Sequence, residues 1–552
     1  MHKTINSIVF LVPAVFDPGE FQFESWMANK AGRFPPLGAL FLSSYIKNKF
    51  PLIRTSIFDC NVEIPICVRG LKDKDVNGSL VLEDLVKKFL LKEKPDIICI
   101  SAIFHAVMHN AHQLAMLSKK ILPEVIIVAG GAYPTTSPEM ALRDKNIDYI
   151  VCGEGEIRLE KLLNYFLIGS CNKEDLDGVY INGEQICFSP CKNDYVNLDL
   201  LPRISLDLIR YGEYAGISST RDDAYLFERK NSMAMVVSRG CPNRCSYCNS
   251  GESNYYGTKF RTRSIGTVMK DIQYYKEQYN IDEVHFYDEN ITANPVYTQK
   301  LLEGLNNASV VYTVANLELE MLNKSILREY FNNRKKGFFS VGIESGNDRV
   351  LKDIAGRRSK KKAIRDKLKI VRKIFGDKGF VNGSFIIGFP DETKDEIYDT
   401  IDFAIEVEID WAAFFCYMPL PGTPLYKVCI DKGYIDLDSI DFANIKPTQS
   451  IINMPHLSAD EVTFLWHYAN YKVNFVENKL IKENPVKAVN AFEYVLSVVP
   501  EHCFAFYGLY QSYVELGDYD KHKLYLEKFK LLAMTDSWKG YVADLIGGNV
   551  TG

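Results

Sequence analysis

Three cysteines, Cys241, Cys245 and Cys248, share one short loop at C-x3-C-x2-C spacing. The loop runs Ser238-Arg239-Gly240-Cys241-Pro242-Asn243-Arg244-Cys245-Ser246-Tyr247-Cys248-Asn249, directly after the apolar run Met233–Val237. That run reads as a buried strand. Thiolates are soft ligands that suit zinc or iron–sulfur centres. A structural zinc takes four protein ligands in a tetrahedron, and no fourth Cys or His lies nearby in sequence. Three thiolates fit three corners of a [4Fe–4S] cube and leave the fourth iron open to a ligand; a zinc knuckle is the alternative.

From Met233 onward, strand-like and helix-like segments alternate. The strands are expected at Met233–Val237, Glu283–Tyr287, Val310–Val314, Gly337–Ile343, Gly383–Ile387 and Trp411–Tyr417. Six βα units in a row point to a parallel α/β barrel, and such barrels carry their chemistry at the carboxyl ends of their strands. The polar residues gather there. Asp288 and Glu289 follow the second strand, Asn316 the third, Glu344-Ser345 the fourth, and Ile387-Gly388 ends the fifth.

The cysteine spacing, with Tyr247 as the aromatic before the third cysteine, resembles the signature of the radical S-adenosylmethionine (SAM) enzymes. Gly342-Ile343-Glu344-Ser345-Gly346 is similar to that family's ribose motif, and Gly383–Thr393 to the segment whose backbone meets adenine. Arg261 and Arg263 match the RxRS stretch after the cluster loop. The resemblance implies that Cys241, Cys245 and Cys248 hold a [4Fe–4S] cluster. It implies a SAM site at Tyr247, Asp288, Glu289, Asn316, Glu344, Ser345, Ile387 and Gly388, with an external electron donor of flavodoxin or ferredoxin type. In the family, the free iron chelates SAM and one electron cleaves it to a 5′-deoxyadenosyl radical. Where the family often follows the third-strand polar residue with Arg, this chain has Leu317-Glu318, which argues against a cationic carboxylate clamp there.

The first 165 residues alternate in the same way, with strands at Ser7–Pro13, Ile53–Phe58, Ile97–Ala102, Val125–Ala129 and Tyr149–Val151. The helices between them predict a doubly wound parallel sheet, and such sheets bind ligands beyond their carboxyl ends. Pro35-Pro36-Leu37-Gly38, Gly130-Gly131-Ala132-Tyr133-Pro134-Thr135 and Gly153-Glu154-Gly155-Glu156 resemble motifs of the cobalamin-binding domain that precedes the cluster in many radical SAM enzymes. That resemblance implies cobalamin held at Ser101, Gly130, Gly131, Tyr133, Gly153 and Glu154. The DxHxxG fingerprint is absent, which implies no protein His on cobalt, and His105 and His109 read as loop or helix-face residues.

Residues 166–230 read as a linker with a hairpin turning at Asn182-Gly183, with Cys187 and Cys191 incidental. The barrel is expected over 231–430 and a helical region over 431–552. A 34-residue period over 469–536 matches the length of a tetratricopeptide repeat. About two imperfect repeats are expected, packed on the barrel as a lid or as a docking face for a protein partner.

Composition narrows the classes. The chain has 552 residues, a net charge of −5 and 47% hydrophobic residues. That balance argues against a nucleic-acid partner on a broad basic surface; the basic run Arg357–Lys362 reads as a solvated helix start. No stretch approaches 18 apolar residues, so no membrane span is expected. Thirteen cysteines without a secretory leader predict a reducing, cytoplasmic setting. The reading is α/β, with a doubly wound cobalamin domain, a (β/α)6 barrel and a helical tail. The expected activity is cobalamin-dependent methylation of an unactivated carbon in a small molecule. The alternatives are a radical cyclase or rearrangement enzyme, and a non-catalytic cobalamin- or SAM-responsive binding protein.

Overall fold

Strands β1 (Ser7–Val12), β2 (Arg54–Asp59), β3 (Ile97–Ser101), β4 (Ile126–Gly130), β5 (Tyr149–Val151) and β6 (Val179–Ile181) form one sheet in the order β2-β1-β3-β4-β5-β6. The first five pair parallel and β6 joins β5 antiparallel. This is a computed structural model, and it describes residues 4–23, 34–71, 76–168, 176–183, 195–214, 231–249, 257–314, 316–332, 338–437 and 440–547. The expected hairpin lies partly outside them: β6 and its Asn182-Gly183 turn are described, whereas residues 184–194, with Cys187 and Cys191, are not.

Along β1 the side chains alternate between two cores. Val9 and Leu11 enter one, while Ile8, Phe10 and Val12 enter the other, which continues into the second domain. Burial on both faces explains why this strand reads as an unbroken apolar run. The chain after β2 turns directly into a helix. Asp59 accepts from the Asn61 backbone N–H at 2.9 Å and caps a helix over Cys60–Gly70.

The second domain holds β7 (Ser232–Met235), a short ribbon of β8 (Ser238–Arg239) against β9 (Arg261–Thr262), then β10 (Glu283–Phe286), β11 (Val311–Val314), β12 (Phe338–Glu344), β13 (Phe380–Ile387) and β14 (Trp411–Cys416). Two parallel three-stranded sheets, β7-β10-β11 and β12-β13-β14, are joined by a parallel bridge from Leu317 to Val341. The result is an open six-stranded barrel, as the alternation predicts.

An open barrel leaves β14 as an edge, and unpaired edges invite association. The tail seals it. Asn474 Oδ1 accepts from Ala412 N at 2.8 Å while its Nδ2 donates to Ala412 O at 2.7 Å. Trp466 Nε1 donates to Phe414 O at 2.6 Å, and Cys416 N donates to Pro447 O at 2.7 Å. The helices Pro485–Val498, Cys503–Glu515 and Tyr519–Ala533 share their core with Phe338 and Phe380, the first residues of β12 and β13. The lid expectation is therefore corrected: these helices pack under the barrel, because their apolar faces meet the aromatic residues that start its strands.

Candidate functional site

The cysteine loop is held from three sides. At its entry Asp288, just past β10 and 0% exposed, accepts from Val237 N at 2.9 Å, from Ser238 Oγ at 2.6 Å and from Ser238 N, all on Oδ1. In its middle, Ser246 N donates to Ala355 O at 3.1 Å and Ser246 O accepts from Leu425 N at 3.0 Å. Gly356 passes so close that a Cβ on it would meet Arg244 O at 3.0 Å, with φ at +66°. That approach follows a π-helical turn over Val350–Ile354, a device that often marks functional positions.

Two N–H donors address the cysteine sulfurs. Asn290 Nδ2 lies 3.8 Å from Cys241 Sγ and 2.7 Å from Glu318 Oε2. Arg357 Nη1 lies 4.0 Å from Cys245 Sγ. Such donors suit thiolates in a cluster better than thiols. Among the described residues, no three His, Cys, Asp or Glu side chains close on one point as a single ion requires. A structural zinc takes four protein ligands, whereas a cubane takes one thiolate per corner iron, so three cysteines match three corners of a [4Fe–4S] cluster. Arg357 corrects the solvated reading of its basic run: the loop after β12 turns it inward, against Cys245 and Glu344.

Beside the loop lie two acids that each keep one oxygen unpaired. Asp288 Oδ2 and Glu289 Oε2 are buried and without a partner. Burial pushes Asp288 up to about 6 and Glu289, with the charge of Asp288 beside it, up to about 7. Orphaned carboxylate oxygens next to a cluster loop fit a cationic ligand group such as the SAM ammonium. Asn316, with φ +56°, is exposed and donates to Asp288 O at 3.0 Å. Glu344, with φ +70°, is raised by burial and held against Arg357 and the Tyr247 hydroxyl. The Tyr247 ring packs at a tilt against Phe389, ring centres 5.6 Å apart.

Other expected contacts carry structural work. The Ser345 hydroxyl is fully buried, 3.0 Å from Thr400 Oγ1. Ile387 is core, and its carbonyl accepts from Tyr417 N at 2.9 Å. Gly388 donates to Glu392 Oε2 at 2.7 Å, and a Cβ on it would meet Val462 Cγ1 at 2.4 Å. In the first domain, a Cβ on Gly131 would meet Ala102 O at 2.3 Å, so this glycine serves the crossing of two chain segments. Tyr133 is 1% exposed and hydrogen-bonds His112 Nε2 at 2.8 Å. Gly153 N donates to Thr135 Oγ1 at 2.9 Å. Glu154, expected at cobalamin, is committed instead to Arg239 and Arg261 in a buried ion cluster.

The carboxyl ends of the first sheet's parallel strands face those of the barrel strands. His105, in the loop after β3, meets the Phe442 ring at 6.3 Å; a Cβ on Gly422, past β14, would lie 3.1 Å from Thr136 Cβ; Phe34 meets Tyr287 at 5.1 Å. Val15, Phe34, Ile103 and Phe104, around the carboxyl ends of β1 and β3, leave large apolar side chains exposed. Together with half-buried Ser101 and Gly130, they suit a large, flat, mostly apolar ligand such as a corrin. Inside the barrel, Ser340, Gly342, Ser384, Ile386, Ala413 and Phe415 are only partly covered, whereas Val341, Ile343, Phe385, Ile387 and Phe414 pack outward into the core. Small residues on the inner face leave room for a substrate above a floor closed by Asn382 and Ser340, 3.0 Å apart.

Two family models fall on these two units: the B12 binding domain on residues 26–163 and the Radical SAM superfamily on residues 235–404, together more than half of the chain. The chain belongs to the radical SAM enzymes that carry a B12-binding domain. Its cofactors are therefore a [4Fe–4S] cluster, SAM and cobalamin. This radical SAM chain is 28% identical over 457 residues to the uncharacterized methyltransferase PH0819 of Pyrococcus horikoshii, covering 81% of this chain and 90% of that one. It is 26% identical over 455 residues to the cytidylyl-2-hydroxyethylphosphonate methyltransferase of Streptomyces wedmorensis, covering 76% and 82%. Its fold matches the radical SAM methyltransferase TsrM of Kitasatospora setae, solved with tryptophan and a SAM analogue, at a TM-score of 0.60 and 13% identity over 78% of this chain and 77% of that one. No helix of the described residues is long and apolar enough to cross a membrane.

Proposed function

We propose that this radical SAM enzyme is a cobalamin-dependent methyltransferase acting on an unactivated carbon of a small molecule. The observation that carries the reading is the opposition of the barrel and the first sheet, with the cysteine loop on one side and the B12-binding end on the other. The two relatives above are both named as methyltransferases. When bound, the cofactors supply hydrogen abstraction from SAM cleavage and a transferable methyl group.

The chain's own residues bind and orient. Cys241, Cys245 and Cys248 hold the cluster, with Asn290 and Arg357 donating to their sulfurs. Asp288 clamps the loop and, with Glu289, offers unpaired oxygens to the SAM ammonium. Glu344 and Tyr247 form the adjoining polar wall, suited to ribose hydroxyls. The barrel's inner face holds the substrate between the two cofactors and excludes water.

The division into a cobalamin domain over 1–165, a linker over 166–230, a barrel over 231–430 and a helical region over 431–552 belongs to this reading. So do an electron donor of flavodoxin or ferredoxin type and about two imperfect tetratricopeptide-like repeats as a surface for a protein partner. The test is anaerobic reconstitution with SAM, methylcobalamin and a metabolite extract. 5′-Deoxyadenosine and S-adenosylhomocysteine are expected together; deoxyadenosine alone would sink methyl transfer.

A further inference from the structure

The strongest feature outside the cofactor sites is a four-residue ion cluster between the domains. Arg239 Nη2 lies 2.7 Å from Glu156 Oε1 and its Nη1 3.3 Å from Glu154 Oε2. Arg261 reaches Glu154 as well, with Nη1 3.2 Å from Oε2 and Nη2 on Oε1. Side-chain exposures are 6% for Arg239, 12% for Arg261, 3% for Glu154 and 4% for Glu156. Among the described residues two arginines meet two glutamates here, so the buried charges are paired. Burial alone would raise Glu156, but the Arg239 charge and hydrogen bond hold its carboxyl below the usual range.

Its place in the chain is what matters. The glutamates lie three and five residues after β5, at the carboxyl end of the B12-binding sheet. Arg239 lies two residues before Cys241, and Arg261 pairs with it across the β8–β9 ribbon. Gly240 between them holds φ +87°, and a Cβ there would meet Lys259 O at 2.4 Å, so the loop has no slack. The cluster loop and the B12-binding end are therefore joined by two residues of backbone and one layer of ion pairs. Apolar contact would bury as much surface without fixing an angle. Arginine forks on carboxylates fix both distance and direction, and a buried ion pair is weak evidence for a stabilising role.

We infer that Arg239, Arg261, Glu154 and Glu156 are positioning residues that set the separation between the iron–sulfur cluster and cobalamin, and through it the coupling of SAM cleavage to methyl transfer. This rests on the methyltransferase reading. The test uses the full-length protein loaded with cluster and cobalamin, comparing wild type with Glu156→Gln and with Arg261→Lys, which keeps the charge but loses the fork. Iron content, cobalamin content and thermal unfolding report whether each variant is folded and loaded. The dipolar splitting between the reduced cluster and cob(II)alamin, read by electron paramagnetic resonance, reports their separation.

The expected result is unchanged loading and unchanged 5′-deoxyadenosine yield, a broadened or shifted splitting, and a ratio of S-adenosylhomocysteine to deoxyadenosine lowered at least about tenfold. Wild-type splitting and ratio in a loaded variant would overturn the inference. So would loss of cluster and of both products together, or failure of both variants to fold, since the network would then be core structure alone. If wild type shows a sharp splitting that the variants lose, but makes no S-adenosylhomocysteine, the positioning role stands and the methyltransferase reading fails.

Discussion

The Glu344 carboxylate folds back over Gly342: a Cβ on that glycine would lie 2.5 Å from Glu344 Oε1. Between these two residues β12 slips its register against β13, and Glu344 takes φ +70°. A non-glycine residue held there costs of order 1 kcal/mol or more and persists at sites that need it. The glycine two positions earlier thus makes room for the glutamate that the site uses.

Gly342→Ala should push Glu344 out of the site while leaving the barrel folded. SAM affinity, measured by calorimetry on cluster-loaded protein, should fall about tenfold or more, equivalent to ~1.4 kcal/mol. Unfolding temperature should change little by comparison. Wild-type affinity would place the ribose elsewhere.

Asp288 accepts three hydrogen bonds that define the start of the cysteine loop. In Asp288→Ala the acceptor oxygen is lost, leaving the buried Val237 and Ser238 N–H groups without a partner. A loss of about 1–3 kcal/mol in denaturant unfolding is expected. Iron bound per chain after reconstitution should fall with it.

Glu392 is 0% exposed and burial pushes it up to about 8, although Gly388 and Phe389 donate to its Oε2. Its folded value lies above its ordinary 4.5. The folded state therefore holds the proton more tightly, and the stability this contributes is present below pH 4.5 and lost as pH rises toward 8. Glu392→Gln keeps an acceptor and removes the ionisation. Unfolding free energy of the variant should fall less than that of wild type between pH 5 and 8, and parallel curves would refute the assignment.

Asn474 replaces a missing strand at Ala412, satisfying both its N–H and its C=O. Asn474→Ala leaves two buried backbone groups unpaired, costing about 2–5 kcal/mol in all. Cluster loading at low temperature should persist, because the edge lies outward from the site. The exposed strand should also raise self-association, measurable by light scattering.

The six barrel strands and five parallel strands of the first sheet are legible in the sequence because buried parallel strands read as apolar runs between helical periods. The helix over Cys60–Gly70 is not, since Pro65 interrupts its pattern. The position of the tail under the barrel is equally hidden: nothing local marks Phe338 and Phe380 as its partners. Within the site, Cys241, Cys245 and Cys248 announce themselves by spacing. Asn290, Glu318 and Arg357 do not, because their roles depend on which loops cross at the barrel mouth. Glu154 misleads for the same reason. It enters through the resemblance of Gly153–Glu156 to a family motif, and only the fold shows two arginines from the other domain against its side chain.

The most direct test of the central claim is label transfer. Cluster- and cobalamin-loaded protein is incubated anaerobically with reductant, SAM carrying a trideuterated methyl group, and metabolites from a strain lacking this gene. The account predicts one or more metabolites gaining a trideuterated methyl group in place of hydrogen, alongside 5′-deoxyadenosine. Consumption of SAM to deoxyadenosine with metabolites that lose hydrogens, or rearrange without gaining label, would contradict it.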